Sequence, residues 1–249
     1  MPINIDALEV ELLCHPDRRF VDSLISGLRH GFYTVITNPP TQPFECKNVL
    51  SATKYADDVS LLVNKELEKG YLIGPFIKPP FDIYRAIPIG IVEGKYPGKK
   101  RLILDLSAPH NNKLHSSIND LINKEDYSLT YVKPDDAVKI VKSLGVKASL
   151  SKCDVSDAFK NIPLNPETWH LFGFKWEDKY YFYTRLCFGC RSSPKIFDQL
   201  SVAICWILQN NYYMKHVLHL LDDFLVIDEP SFNAEITMQR LLNLMCLEN

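Results

Sequence analysis

Two adjacent aspartates stand inside an apolar run near the end of the chain, in HLLDDFLVID at residues 219–228. A run of this kind usually forms a buried strand, and burying unpaired carboxylates in it is costly. Like charges side by side raise that cost further. The pattern therefore predicts a hairpin at which a cation offsets Asp222 and Asp223. A plain hairpin tip open to solvent remains an alternative, because Asp favours turns.

Composition indicates a folded chain without a strong charge signature. The chain has 249 residues, 46% of them hydrophobic, which is enough for a sizeable core. Its net charge is -2 and its pI is near 6.4, so contacts to nucleic acid would have to come from local Lys and Arg clusters. The seven cysteines are odd in number and scattered, and the N-terminus has no apolar signal region. We therefore expect an intracellular protein, cytoplasmic or nuclear, that does not enter a membrane.

Helical periodicity fills the first third of the sequence. Residues 15–32 have apolar side chains at helical spacing and end at a glycine. Residues 51–70 predict one continuous helix with Ser51 as its N-cap. The proline-rich stretch GPFIKPPFDIYRAIP, residues 74–88, predicts an irregular extended segment.

Strand patterns dominate from residue 86 onwards. AIPIGIV and RLILDLS predict a hairpin with a basic tip, and LFGFKWEDKYYFYTRL predicts a second hairpin that turns at Glu177 and Asp178. KASLSKCDVSDAF predicts a strand running into a turn, after a short helix that ends at Gly145. A long helix over residues 192–211 precedes a third hairpin, whose arms KHVLHL and FLVID flank the paired acids.

Strands and hairpins mixed with helices in this order predict an α+β fold. The tip of the last hairpin is then expected to lie beside the end of the strand that carries Asp154. Three carboxylates would converge there, and hard cations such as Mg²⁺ prefer carboxylate, carbonyl and water ligands. Two such cations stabilise the attacking and leaving oxygens in phosphoryl transfer.

Three segments together resemble the reverse transcriptases: CDVSDAF, LCFGCRSSPKIFDQL and LLDDFLVI, in this order. The phrases PFIKPPFDIYRAIPIGIV, KYPGKKRLILDLSAP and SIND look most like the polymerase of tyrosine-recombinase retrotransposons, the DIRS-like and Ngaro-like elements. The resemblance covers nearly the whole chain, since the helical N-terminal segment is also similar to that group. It implies a right-hand polymerase with fingers and a palm of antiparallel sheet backed by helices.

The resemblance assigns the metal-binding residues. Asp154 matches the aspartate of the first palm motif, and Val155 matches the residue whose backbone carbonyl joins the metal shell. Asp222 matches the second metal carboxylate, with Asp223 beside it as the weaker ligand. The implied chemistry adds deoxynucleotides to a primer with two Mg²⁺ or Mn²⁺ ions, on an RNA or DNA template.

The resemblance also assigns a nucleotide pocket. Phe159 matches the bulky side chain that excludes a 2′-hydroxyl, although a core role is an alternative. Asp157, Phe188 and Gly189 would line the pocket, with Gly189 chosen because close backbone approach leaves no room for a Cβ. Arg101 matches the fingers arginine that reaches the triphosphate, and Lys95 is a weaker candidate. Lys99 and Lys100 would be solvated charges or contacts to template phosphates.

Domain boundaries follow from the same resemblance. We expect a helical N-terminal extension at 1–60, fingers at 61–112 and 165–192, and a palm at 113–164 and 193–249. The chain ends at Asn249, before the family's later palm lysine, primer-grip hairpin, thumb and ribonuclease H, so we expect impaired processive synthesis. Ribonuclease H and a tyrosine recombinase would be encoded elsewhere in the element.

Some positions depart from the family pattern. Leu220 stands where many relatives carry an aromatic residue, Cys187 stands where Pro is common, and Gly94 replaces the first lysine of the usual fingertip pair. None of these changes removes a metal ligand, but Gly94 weakens the expected triphosphate site.

Two other functions are compatible with parts of the sequence. The first alternative is an inactive retroelement remnant that has lost catalysis and binds RNA or a protein. A palm-bearing phosphoryl enzyme such as a nucleotide cyclase is the second alternative, and the basic hairpin and LCFGC segment speak against it.

Overall fold

The computed structural model describes residues 3–34, 36–94, 100–110, 112 and 114–229. The chain divides into two compact units, each assembled from separate segments. Unit 1 comprises residues 1–29, 128–161 and 194–249, and unit 2 comprises residues 30–127 and 162–193.

Helices and strands alternate irregularly along the chain, which confirms the predicted α+β class. The helices are α1 (Ile5–Glu11), α2 (Arg18–His30), α3 (Leu50–Lys54), α4 (Ala56–Glu68), α5 (Pro134–Leu144) and α6 (Ser193–Asn210), with 3-10 turns at Asn119–Leu121, Ala158–Asn161 and Pro166–Leu171. The strands are β1 (Phe44–Glu45), β2 (Leu72–Phe76), β3 (Arg85–Ala86), β4 (Ile89–Glu93), β5 (Lys100–Leu104), β6 (Ser149–Asp154), β7 (Gly173–Trp176), β8 (Lys179–Tyr183), β9 (Val217–Leu220) and β10 (Asp223–Asp228).

The sheet of unit 1 has the strand order β6-β10-β9. Strand β10 is antiparallel to both neighbours, so its backbone groups are paired on both sides. Phe224, Val226 and Ile227 on this strand are buried, which explains the apolar run that surrounds the paired acids. The predicted third hairpin and its neighbour, the strand of Asp154, are confirmed.

Helices α1, α2 and α6 supply the rest of the core of unit 1. Pro194 lies in the first turn of α6, where its missing N–H has no helical partner to lose. The Arg29 guanidinium on α2 forms ion pairs with Asp6 and Glu9 of α1, both at 2.6 Å. Glu11 accepts hydrogen bonds from the side chains of Asn211 and Tyr212, which follow α6. Polar contacts therefore fix the N-terminal helices within unit 1.

Unit 2 contains a five-stranded sheet of order β1-β3-β7-β8-β2 and a separate β4-β5 hairpin. The β7-β8 hairpin turns at Glu177 and Asp178, as predicted, and both residues have positive φ angles, +48° and +55°. This conformation fits the two-residue hairpin turns that match the twist of antiparallel strands. The β4-β5 hairpin was also predicted from the sequence and is confirmed.

Two predictions about local structure in unit 2 are wrong. The helix expected over residues 51–70 is interrupted at Tyr55, and Val49 is the N-cap of α3. Ser51 does not cap a helix, because its Oγ accepts a hydrogen bond of 3.0 Å from the N–H of Ile91. The proline-rich stretch includes the last three residues of β2 and all of β3, so it is not irregular throughout.

The described ranges show the state of the cysteines and the character of the helices. None of the cysteines in the described ranges forms a disulfide bond, and these are Cys14, Cys46, Cys153, Cys187, Cys190 and Cys205. Among the described residues, no helix combines the length and the apolar character that crossing a membrane requires.

Candidate nucleotidyl-transfer site

The paired acids lie at a two-residue turn between β9 and β10. Leu220 pairs with Asp223, so Leu221 and Asp222 form the turn itself. Leu221 has a φ of +55°, a left-handed conformation that costs a residue with a Cβ about 1–2 kcal/mol. In two-residue hairpin turns this first position commonly carries glycine. The turn is therefore strained, and contacts outside it must hold its shape.

Strand register brings the third acid to the same end of the sheet. Asp223 is directly opposite Asp154 in the β10-β6 pair. The backbone N–H of Val155 donates a hydrogen bond of 3.0 Å to the carbonyl of Asp222. Side chains opposite each other in an antiparallel pair have Cβ atoms about 5 Å apart, close enough for their charges to repel. The predicted convergence of Asp154, Asp222 and Asp223 is thus present in the backbone.

Electrostatics at this end of the sheet disfavour the charged form of Asp222. Burial raises the pKa of the Asp222 carboxyl, and the charges of Asp154 and Asp223 raise it further. A hydrogen bond from the Asp222 N–H to its own carboxylate acts in the opposite direction. The negative charge is therefore only partly compensated by the protein itself.

Lys152 provides one compensating charge that sequence reasoning missed. Its Nζ lies 2.9 Å from Asp223 Oδ1, and both side chains are largely exposed. The hydrogen bond with Asp223 raises the pKa of Lys152. Lys152 precedes Asp154 by two positions on β6, so both side chains point to the same face. That alternation was available in the sequence, but the partner across the sheet was not.

The residues at this end suit a hard divalent cation. As they stand, no three His, Cys, Asp or Glu side chains in the described part of the chain are arranged to hold a metal ion. The donor set nevertheless fits, because carboxylate and carbonyl oxygens are the ligands that Mg²⁺ prefers. The residues that would hold such an ion are those assigned by the resemblance, Asp154, Asp222, Asp223 and the carbonyl of Val155, and their role as ligands stays a prediction.

Helix α6 contacts the acidic hairpin through polar side chains. Ser201 Oγ donates a hydrogen bond of 2.9 Å to the carbonyl of Leu221. His219, on β9, lies 3.1 Å from Asp198 through Nε2 and 3.3 Å from Cys205 Sγ through Nδ1. Burial, followed by the charge of Asp198, raises the pKa of the Cys205 thiol to about 12. The sequence places these residues on a helix but does not reveal which face meets the hairpin.

Two predicted pocket residues of unit 1 follow β6. Asp157 is exposed and has a φ of +52°, and the 3-10 turn Ala158–Asn161 begins after it. Phe159 is only 6% exposed, and its ring packs against Phe197 with centroids 5.5 Å apart. This burial favours the alternative in which Phe159 belongs to the core, and its role in sugar selection stays a prediction.

The other predicted pocket residues lie in a loop of unit 2 that precedes α6. Phe188 is 56% exposed, which is unusual for a large aromatic side chain. Gly189 has a φ of +85°, and the nearest atom to a Cβ placed there would be the carbonyl oxygen of Leu104, at 3.5 Å. That distance is an ordinary contact. Among the described residues the glycine is therefore required by its backbone conformation, and its close approach to a bound nucleotide stays a prediction.

A buried asparagine fixes this loop and was not singled out from the sequence. Asn119 Nδ2 donates to the carbonyl of Gly189 and to Ser107 Oγ, each at 2.9 Å. Its Oδ1 accepts from the N–H of Arg191 at 2.8 Å. The amide thereby holds the loop on both sides of Cys190, directly after Gly189. Only its place in the SIND phrase hinted at a role.

The basic hairpin of unit 2 is partly described. Arg101 is exposed on β5, opposite Val92. Lys100 forms an ion pair with Asp58 and lies 4.2 Å from the Tyr55 ring centroid, so it is neither simply solvated nor available as a loose template contact. Lys95 and Lys99 lie outside the described residues.

Comparisons with known proteins address the family and the fold. The family model described as reverse transcriptase (RNA-dependent DNA polymerase) matches residues 93–245, more than half of the chain. No curated protein matches the sequence.

Solved structures of foamy virus proteins resemble the chain in fold. A foamy viral protease-reverse transcriptase in complex with an RNA/DNA hybrid has a TM-score of 0.60 at 18% identity, over 99% of this chain and 32% of that one. Native prototype foamy virus protease-reverse transcriptase gives 0.57 at 18% identity, over 86% of this chain and 24% of that one. A complex with dsDNA gives 0.55 at 18% identity, over 98% and 49%.

The chain thus spans about a quarter to a half of the length of these three structures. At this level of identity the likeness concerns the fold, and it confirms the predicted α+β arrangement of polymerase fingers and palm. The family match begins at Glu93, the last residue of β4, and covers the three acids and the hairpin that carries two of them. The chain therefore belongs to the reverse transcriptase (RNA-dependent DNA polymerase) family.

Proposed function

We propose that this chain carries the nucleotide-adding centre of an RNA-directed DNA polymerase, with a helical extension at 1–60, fingers at 61–112 and 165–192, and a palm at 113–164 and 193–249. The observation that carries the proposal is the register of the unit 1 sheet, in which Asp223 faces Asp154 and Asp222 occupies the adjoining turn. The domain boundaries expected from the sequence belong to this proposal. So does an RNA or DNA template with a primer as the partner of the chain.

The proposed roles of the residues follow from their chemistry. Two bound Mg²⁺ or Mn²⁺ ions would neutralise charge on the attacking 3′-oxygen and the leaving pyrophosphate. Asp154 and Asp222 would hold them, with Asp223 and the Val155 carbonyl as additional ligands. The Lys152 ammonium, 2.9 Å from Asp223, limits repulsion among the three acids.

Substrate binding is assigned to the residues that the resemblance named for it. Arg101 would bind the triphosphate of a dNTP, because its guanidinium matches phosphate geometry. Lys95 is a second candidate for this contact. Asp157, Phe188 and Gly189 would line the nucleotide pocket. Phe159 would exclude a 2′-hydroxyl from the sugar position.

A retrotransposon origin is the more specific part of the proposal. The phrases at residues 75–92, 95–109 and 117–120 look most like the tyrosine-recombinase retrotransposons, DIRS-like or Ngaro-like. Ribonuclease H and a tyrosine recombinase would then be encoded elsewhere in the element.

Primer extension tests the proposed activity. A labelled primer on poly-rA is incubated with dTTP and Mg²⁺ or Mn²⁺, using the parent chain, Asp222→Asn and Asp22→Asn. Asp22 is the matched control, since it is an exposed acid of unit 1 paired with Arg18 on α2. We expect extension by the parent and by Asp22→Asn, and none by Asp222→Asn, because the amide removes a metal-binding charge.

Extension by Asp222→Asn at the parental rate would contradict the metal assignment. Failure of all three chains, while each still binds the primer-template, would favour the inactive nucleic-acid-binding remnant.

A further inference from the structure

The strained turn that holds Asp222 is fixed from outside through both of its carbonyl groups. The Leu221 carbonyl accepts the Ser201 hydroxyl at 2.9 Å, and the Asp222 carbonyl accepts the Val155 N–H at 3.0 Å. The Val155 contact comes from the end of β6, which also carries Asp154. The Ser201 contact comes from α6, which carries none of the three acids.

Ser201 uses its hydroxyl in an uncommon way. Its residue exposure is 0%, so the hydroxyl must find a partner within the protein. A serine inside a helix usually bonds to a carbonyl of its own preceding turn. Ser201 instead donates to the turn of another element, which directs the bond at the acidic hairpin.

One peptide group links this hydroxyl to the Asp222 side chain. The Leu221 carbonyl and the Asp222 N–H belong to the same planar peptide unit. The same planar unit extends to the Cα of Asp222, from which the carboxylate side chain projects. Fixing the oxygen of this unit therefore fixes the backbone position from which the Asp222 carboxylate starts.

A second contact from the same helix face supports the hairpin. Asp198, Ser201 and Cys205 are spaced three and four residues apart, so they share one face of α6. Asp198 and Cys205 both contact His219, which lies two positions before Leu221. The helix thus meets the hairpin at its strand and at its tip.

We propose that Ser201 is a positioning residue that orients the Asp222 carboxylate for divalent-metal binding through the Leu221–Asp222 peptide group. The inference deepens the proposed function and rests on it. Ser201 does not touch the metal or the substrate. It lowers the freedom of a turn that would otherwise relax from the left-handed conformation of Leu221.

Metal titration of the intact chain tests the proposal without requiring catalysis. Calorimetric titration with Mn²⁺ alone is carried out on the parent, Ser201→Ala, Ser201→Thr and Ser143→Ala. Ser143, which is also in unit 1, is the matched control. Its hydroxyl donates a hydrogen bond of 2.7 Å to the Ile140 carbonyl of its own helix. We expect Ser201→Ala to weaken Mn²⁺ binding about five- to tenfold, the equivalent of one lost hydrogen bond.

Ser201→Thr retains the hydroxyl and should stay within about twofold of the parent. Ser143→Ala should bind Mn²⁺ as the parent does. Amide hydrogen exchange supplies the second readout. In Ser201→Ala, faster exchange should be confined to residues 217–228, because the contact acts on the hairpin and not on the whole core.

The outcomes separate the two proposals. Equal Mn²⁺ affinity for the parent and Ser201→Ala, or faster exchange throughout unit 1, would overturn the positioning role while leaving the polymerase proposal intact. Mn²⁺ binding that depends on Ser201 in a chain that never extends a primer would support the positioning role and count against polymerase activity. A parent chain that binds no Mn²⁺ would overturn both.

Discussion

Replacing Arg85 with methionine should stabilise the chain, although it deletes a charged residue from a sheet. Arg85 lies on β3, between β1 and β7, and is only 7% exposed. Its Nε and Nη1 atoms are buried and have no hydrogen-bond partner among the described residues. Burial lowers the pKa of the guanidinium. Its visible compensation is the Phe44 ring, whose centroid lies 5.4 Å from Cζ.

The expected magnitude follows from these contacts. Each unsatisfied buried donor costs about 1–3 kcal/mol, and the cation–π contact returns about 0.5–2 kcal/mol. Methionine preserves most of the aliphatic packing. Arg85→Met should therefore raise the free energy of unfolding by about 2 kcal/mol, which corresponds to a rise in Tm of about 4–8 °C for a chain of this size.

Urea unfolding followed by tryptophan fluorescence measures this change. Arg29→Met is the matched control, because Arg29 is more exposed and forms ion pairs with Asp6 and Glu9. We expect this control to lose stability or remain unchanged. A loss of stability in Arg85→Met would refute the reasoning, since it would mean that an anion or a polar partner satisfies the guanidinium in solution.

Three further predictions concern the site and its surroundings. Phe159→Ala should admit ribonucleotides in a single-nucleotide incorporation assay and lower stability by about 3–5 kcal/mol, and unchanged sugar selectivity would leave only the core role. Asn119→Ala removes the hydrogen bonds to the Gly189 carbonyl and the Arg191 N–H and should raise the KM for dNTP about tenfold with little change in kcat, so an unchanged KM would contradict it. The Cys205 thiol, whose pKa burial raises to about 12, stays protonated at pH 8 and should resist alkylation while exposed Cys14 reacts. Equal labelling of both cysteines by mass spectrometry would count against that protonation state.

The convergence of the acids could be predicted from the sequence because it depends on local patterns. Apolar residues flank Asp222 and Asp223 on both sides, which predicts two strands and a turn between them. Strand β6 ends at Asp154, and its antiparallel pairing with β10 then brings the three acids to one end of a sheet. The sequence did not predict that the two adjacent acids differ in position. Asp222 lies in the turn, whereas Asp223 is the first residue of β10.

Features that depend on tertiary contacts could not be predicted in the same way. The break at Tyr55 has no glycine or proline signal, and Ser51 on α3 bonds to β4 instead of capping a helix. Pro75 is tolerated in β2 because β2 is an edge strand with a register shift between Ile73 and Phe76. Predicting the contact of Ser201 with the hairpin requires knowing how α6 is rotated about its axis. The periodicity of the sequence predicts only that the helix exists.

The interleaving of the two units has a consequence for folding during synthesis. The last residue of unit 2 is residue 193, whereas the central strand of unit 1, β10, ends at Asp228. Long-range pairing of β6 must wait for β10, since β10 lies between β6 and β9. On the ribosome, unit 2 can therefore complete its sheets first, while β6 has been made but has no partner strand. A chaperone that covers an unpaired strand edge would be needed most during the synthesis of residues 155–228.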